Sequence, residues 1–202
     1  MSFYIYGKSE TDYLSQKDEK MAQLIQRFGH IDRTVFPDLF TGLVNSIVGQ
    51  QISGKTAEKI WDRFVLKFGD ITPKKLQSCP DDEMKALGIS LRKVMYIKNA
   101  AAKIISGELD VAALQNMSDD EVCKTLSSLD GVGVWTAQML MIFSMQRQNV
   151  LSYGDFGIKK GISLLYGCDT PDKKQFEVYK QKFSPYCTVA SFYLWQLANS
   201  ED

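Results

Sequence analysis

An all-α fold is what this sequence predicts, and three observations carry the prediction. Nearly every segment with a periodic apolar pattern repeats at helical spacing. Helix-start signals, a Ser, Thr or Asp cap followed by Pro or an acidic residue, recur along the chain. Convincing strand alternation is absent except in the first few residues. About ten short helices are expected.

The first is expected over Lys17–Phe28, where Met21, Leu24, Ile25 and Phe28 share a face. Phe36-Pro37-Asp38 then punctuates the chain. Beyond it Leu39, Leu43 and Ile47, with Phe40, Val44 and Val48, make a helix apolar over a wide arc, which suits a central position. It runs into Gly49-Gln50-Gln51-Ile52-Ser53, and a new helix over Lys55–Phe68 puts Ala57, Ile60, Trp61 and Phe64 on one side. Thr72-Pro73 and Pro80-Asp81 mark short helices. Leu87-Gly88-Ile89-Ser90 separates these from an amphipathic helix with Val94, Ile97, Ala101 and Ile104, which Gly107 ends.

Ser118-Asp119-Asp120-Glu121 has the spacing of a capping box and begins a helix to about Leu126. Gly131-Val132-Gly133 is a tight turn whose backbone can approach a neighbour closely, because neither glycine carries a Cβ. A long apolar helix, Val134–Arg147, follows. This helix–turn–helix unit offers bare N–H groups to an anion at the start of its second helix. Asp155 then sits in Tyr153-Gly154-Asp155-Phe156-Gly157, ahead of a helix from about Phe156 to Leu165. Thr170-Pro171 has the form of a cap and first position of a helix to about Phe183. The last helix, Tyr186–Ala198, buries Val189, Ala190, Tyr193, Leu194 and Leu197.

Composition narrows the class. With 202 residues and 45% hydrophobic content the chain can bury a core of one domain or of two small interleaved lobes. Its 24 basic and 24 acidic residues cancel, so net charge supplies no argument for a nucleic-acid partner. Cys79, Cys123, Cys168 and Cys187 are scattered without a Cys-x-x-Cys pair, and His30 is the one histidine, which argues against zinc and against an iron–sulfur cluster. Neither a signal-peptide pattern nor a membrane-length apolar run is present. A cytoplasmic, soluble chain without disulfides is expected.

Taken singly, each candidate site has a bland reading. A Gly-x-Gly turn usually joins two packed helices, and an Asp before a helix caps it. Tryptophans on apolar helical faces are mostly core. The order of four blocks changes the balance. They are Leu43-Val44-Asn45-Ser46-Ile47-Val48-Gly49-Gln50-Gln51-Ile52-Ser53 with Lys55-Thr56-Ala57; Leu87-Gly88-Ile89-Ser90 with Lys93; Leu129-Asp130-Gly131-Val132-Gly133-Val134-Trp135-Thr136-Ala137 with Asp155; and Ser184-Pro185-Tyr186 through Trp195. Together, from about Phe40 to Trp195, they resemble the helix-hairpin-helix (HhH-GPD) DNA glycosylases, and within them the 3-methyladenine DNA glycosylase II (AlkA-like) branch.

The resemblance implies a single two-lobed all-α unit over 1–202. Lobe A would comprise 1–39 plus 147–202, and lobe B 40–146 with the helix-hairpin-helix at about 118–146. The active site would lie in the interlobe cleft with Asp155, Trp135 and Trp195. Asp155 would be the catalytic carboxylate, stabilising an oxocarbenium-like sugar or orienting water. Trp135 and Trp195 would form the pocket for a flipped base, where a cationic alkylated purine gains roughly 1–2 kcal/mol from electron-rich rings. Gln51 falls where the family's wedge residue fills the gap in the duplex. Gly131, Gly133 and Thr136 would hold a DNA phosphate, with Lys55, Lys93 and Arg92 as phosphate neighbours. The carbonyls of Ser127, Leu129 and Val132 would hold a monovalent Na⁺ or K⁺, with no other cofactor.

Reaction type follows from one position. Bifunctional relatives carry a lysine before Thr136 that forms a Schiff base and leads to strand cleavage. Here that residue is Trp135, so the resemblance implies a monofunctional hydrolase, acting as a monomer on damaged bases in double-stranded DNA, with 3-methyladenine and 7-methylguanine as the expected lesions. Deaminated or oxidised bases are the alternative substrates, and a DNA-binding module without chemistry or a purely structural helical protein the alternative roles. Two departures stand out. Relatives show Arg-Ser where Cys187-Thr188 follows Pro185-Tyr186, and the chain has no room for the extra N-terminal domain of some members.

Overall fold

The computed structural model describes residues 2–200. Among them are twelve α-helices, a 3-10 turn over Ala113–Asn116 and one two-stranded antiparallel ribbon. The ribbon pairs β1 (Ser2–Phe3) with β2 (Thr34–Val35), Ser2 opposite Val35. No helix among these residues is long and apolar enough to cross a membrane. The chain divides into two compact units, Phe36–Leu140 and Met1–Val35 with Met141–Asp202, rather than at 39/40 and 146/147.

The Phe36–Leu140 unit is built on α3 (Leu39–Gly49), whose Leu43, Val44, Ile47 and Val48 are buried, as its wide apolar arc requires. The Asp38 side chain caps it by accepting from the Thr41 amide at 2.8 Å. α4 (Gly54–Phe68) adds Ile60 and Phe64; α5 (Pro73–Ser78) and α6 (Asp81–Ala86) add Leu76 and Met84. Against these packs α7 (Leu91–Ser106), burying Val94, Ile97, Ala100 and Ala101 and closed by left-handed Gly107. α8 (Asp119–Ser127) starts with the expected capping box of Ser118 and Glu121.

α9 (Val134–Phe143) stops short of the expected Arg147. The Arg147 amide turns back to the Met141 carbonyl at 2.9 Å, with Gln146 left-handed at φ 52°, so the chain closes the helix on itself. Tyr4 and Ile5 hold this turn, through the Tyr4 hydroxyl on the Gln146 carbonyl and the Gln146 side chain on the Ile5 amide.

The second unit holds a helix that periodicity did not reveal, α1 (Lys8–Lys17); it is polar, buries Leu14 alone and begins at Gly7 without a side-chain cap. Asp18 then starts α2 (Glu19–Phe28). α10 (Phe156–Tyr166) lies on α12 (Cys187–Ser200), and Gly161 makes that approach possible, since a Cβ there would fall 2.4 Å from the Leu194 carbonyl oxygen. α11 (Lys173–Phe183) is capped by Asp172 and not by Thr170. The Asp172 carboxylate and the Gln175 side chain satisfy each other's amides, at 2.8 and 3.0 Å, and this reciprocal pair outcompetes the Thr-Pro signal.

Candidate active site

The expected site residues fall into two groups, one in each compact unit, and each group is built by its own sequence. In the unit containing α12, the loop before α10 is stapled to the start of α12. Thr188 does the stapling: its hydroxyl donates to the Arg147 carbonyl at 2.6 Å and accepts from the Val150 amide at 3.2 Å, while its amide donates to the Gln148 carbonyl. Cys187, where the resemblance leads one to expect an arginine, is fully buried with its thiol on the Lys180 carbonyl. Thr188 therefore anchors the loop that delivers Asp155.

Asp155 is 7% exposed and caps α10, its Oδ1 accepting from the Ile158 amide at 2.9 Å. The capping reading thus holds. A second donor reaches the same oxygen: the Trp195 indole Nε1–H, from α12, at 2.8 Å. Two neutral donors on one oxygen fix the plane of the carboxylate. Trp195 itself stacks against Phe143 and Phe192, with ring centroids 5.9 and 6.2 Å away. Gly157 leaves room for the indole, because a Cβ at that position would lie 2.8 Å from Trp195 Cδ1 and 3.3 Å from Asp155 Oδ1. The structure brings Asp155 and Trp195 together as a carboxylate and its holder.

The other half is the hairpin between α8 and α9. Val132 N–H closes on the Leu129 carbonyl at 3.0 Å, and Leu129 and Val132 bury their side chains. Gly131 has φ 76°, and its α-carbon rests on the Tyr96 ring, where a Cβ would come within 2.3 Å of Cδ2. Gly133 is exposed, and a Cβ there would meet nothing within 4 Å. After it Val134 and Trp135 open α9 at 59% and 49% exposure, so the first amides of this apolar helix stand at an open surface. Thr136 is buried beneath them. A hollow of about 650 Å³ runs beside the hairpin, lined by Asp120, Lys124, Ser127, Ser128, Val134 and Gln138.

The remaining expected residues fall around the same unit. Gln51 is exposed past the end of α3 with φ 59°, and Lys55 is exposed in the first turn of α4. Lys93 is not an open surface cation. Its ammonium donates to the Val48 and Gln50 carbonyls at 2.9 and 2.7 Å and caps the C-terminus of α3, and burial, then the neighbouring Arg92, lowers its pKa. For the implied monovalent cation, the test is whether this turn has unmet polar atoms. Ser127 Oγ is buried without a hydrogen-bond partner among the described residues, an unmet polar atom next to the carbonyls that the resemblance assigns to the ion, of which the Leu129 carbonyl already accepts from the Val132 amide. A hollow of about 1340 Å³ between α10 and α11 contains none of the expected site residues.

Sequence reasoning missed Gln50 as distinct from Gln51, and Tyr96, Asn99 and Gly157 altogether. Gly157 had a signal, a glycine two residues past the carboxylate and inside a helix where Ala is normally better.

Known proteins resemble both halves. The model of the HhH-GPD superfamily base excision DNA repair proteins matches residues 44–185. DNA-3-methyladenine glycosylase 1 of Schizosaccharomyces pombe is 28% identical over 198 residues, 94% of this chain and 87% of that protein. The DNA-3-methyladenine glycosylase of Saccharomyces cerevisiae is 30% identical over 203 residues, covering 81% and 68%. Among solved structures, the DNA-3-methyladenine glycosidase of Bacillus halodurans superposes with TM-score 0.87 at 34% identity, covering 100% of this chain and 94% of that one. The Schizosaccharomyces pombe enzyme Mag1, in complex with abasic DNA, superposes with TM-score 0.80 at 27% identity, covering 93% and 95%. With the family model spanning well over half of the chain, this protein belongs to the HhH-GPD superfamily of base excision DNA repair proteins.

Proposed function

We propose that the chain is a monofunctional DNA glycosylase that hydrolyses the N-glycosidic bond of alkylated purines, of the 3-methyladenine and 7-methylguanine type, in double-stranded DNA. The observation that carries this is the buried Asp155 carboxylate held at Oδ1 by Trp195 and the start of α10. The names of the relatives, DNA-3-methyladenine glycosylases, support the lesion class.

The C1′–N bond of the extruded nucleotide breaks, and its electron pair leaves with the base. A methylated purine is already cationic, so it departs as a neutral molecule without a strong general acid. Positive charge is left on the sugar, and the fixed Asp155 carboxylate stabilises it at no reorganisation cost. Water then adds to C1′ and gives up a proton, leaving an abasic site. With Trp135 where bifunctional relatives place lysine, no amine attacks C1′ and the strand stays intact. Trp135 offers its exposed ring to the flipped base, while Trp195 orients the carboxylate. The amides at Gly131, Gly133 and the start of α9 hold phosphate through hydrogen bonds and helix dipole, which suits a chain of zero net charge. Ser127, Leu129 and Val132 would hold a monovalent cation, which when bound adds positive charge for that phosphate.

Duplex DNA treated with dimethyl sulfate tests the reading. Free 3-methyladenine and 7-methylguanine should appear in the supernatant, with strand breaks only after alkali and no adduct trapped by borohydride. Binding without base release would leave a DNA-binding module, and a borohydride adduct would overturn the monofunctional assignment.

A further inference from the structure

Three side chains one helical turn apart on α7 each hold a different piece of two separate loops. Lys93 grips the end of α3 through the Val48 and Gln50 carbonyls. Tyr96 fills the space a Cβ would occupy on Gly131. Asn99 donates to the Asp130 carboxylate at 2.9 Å. A fourth contact joins the loops directly: Gln50 Nε2–H donates to the Gly131 carbonyl at 2.7 Å. Gln50 is thus gripped at both ends, its backbone by Lys93 and its side chain by the hairpin. All of these residues lie within the Phe36–Leu140 unit.

The residue that follows is Gln51, exposed and held at φ 59°, in the left-handed region that a residue with a Cβ adopts only when its surroundings impose it. It directly follows the pinned Gln50. The Gln50–Gly131 bond is itself at the surface, where a single hydrogen bond contributes little to folding. It does span the hairpin turn and the loop that carries Gln51.

We propose that Gln50 is a positioning residue for base extrusion, a strut that makes gripping the DNA backbone at Gly131–Gly133 and insertion of Gln51 into the duplex one event. The inference rests on the glycosylase reading above, and it says where the order in that step comes from. A loop already fixed against the clamp has no separate conformational search to make once the phosphate is bound. A nucleotide that is already outside the helix does not need the strut.

Gln50→Met, which keeps the side-chain length and removes the donor, separates these cases. Three duplexes serve as probes: one with a single 7-methylguanine, one with a tetrahydrofuran abasic analogue, and one with 2-aminopurine beside the lesion. The expected result is single-turnover release from 7-methylguanine lowered about five- to tenfold and a smaller 2-aminopurine fluorescence rise, with abasic affinity within about twofold and the melting temperature unchanged. Wild-type release and fluorescence from the variant would overturn the proposal. So would parallel losses in abasic binding and melting temperature, which mark a merely structural bond. If the wild type releases no base, the glycosylase reading falls, and the fluorescence comparison alone decides the strut.

Discussion

At the residue scale, the centre of the account is one oxygen. Asp155 Oδ1 receives the Ile158 amide and the Trp195 indole, so the carboxylate is oriented by a cap and by a side chain from another helix. Trp195→Phe keeps a stacked ring and removes the indole N–H; the single-turnover rate of base release should fall about tenfold while DNA affinity, by anisotropy, stays within about twofold. Gly157→Ala should give the same phenotype with every functional group present, because its Cβ displaces the indole. Its melting temperature should fall modestly, since displacing the indole costs its stacking on Phe143 and Phe192 and the gain from a better helix former, about 1 kcal/mol, offsets only part of that. Asp155 was visible in the sequence through its place after the hairpin helix. Its partner's task was not, since 40 positions separate them and a tryptophan among apolar helical residues has no mark of hydrogen bonding. Lys93 shows the opposite error, a cation that looked available and is turned inward onto two carbonyls.

At the element scale, the hairpin is the part most completely written in local sequence. Ser118 and Glu121 cap α8, Gly131 makes the turn and α9 starts at Val134, because each signal is satisfied within a few residues. The end of α9 was not readable, since Gln146 adopts a left-handed conformation under contacts from Tyr4 and Ile5. The two glycines of the turn should separate cleanly. Gly131→Ala forces a Cβ into Tyr96 at positive φ and should destabilise the fold by about 2–4 kcal/mol, measured by thermal denaturation. Gly133→Ala meets nothing and should change stability by less than about 0.5 kcal/mol, yet weaken DNA binding several-fold, because the added methyl stands where a phosphate approaches. Equal DNA affinity in Gly133→Ala and wild type would remove the turn from the DNA contact.

At the scale of the whole molecule, helical periodicity was enough to establish the all-α class, and long-range ties decided what the periodicity left open. Asp18 is one such tie: it caps α2 at Met21 and accepts from Tyr166 on α10 at 2.9 Å and Lys182 on α11 at 2.7 Å. Burial alone would raise its pKa, but the Lys182, Met21 and Tyr166 bonds together lower it below the ordinary carboxylate value. A folded-state pKa below the unfolded one stabilises the fold above about pH 4, and that contribution is lost as acid protonates the group. Asp18→Asn keeps the cap and should flatten the fall of melting temperature between about pH 5 and pH 3. Asp18→Ala, which strands Lys182 and uncaps α2, should destabilise by about 2–4 kcal/mol at neutral pH. The central claim, that a carboxylate fixed by the fold performs the chemistry, is tested most directly by single-turnover release of 7-methylguanine from duplex DNA by Asp155→Asn. Asparagine caps a helix as well as aspartate, so the variant should melt with the wild type and bind the same duplex, while its release rate falls by about 100-fold or more. Release at the wild-type rate would contradict the account.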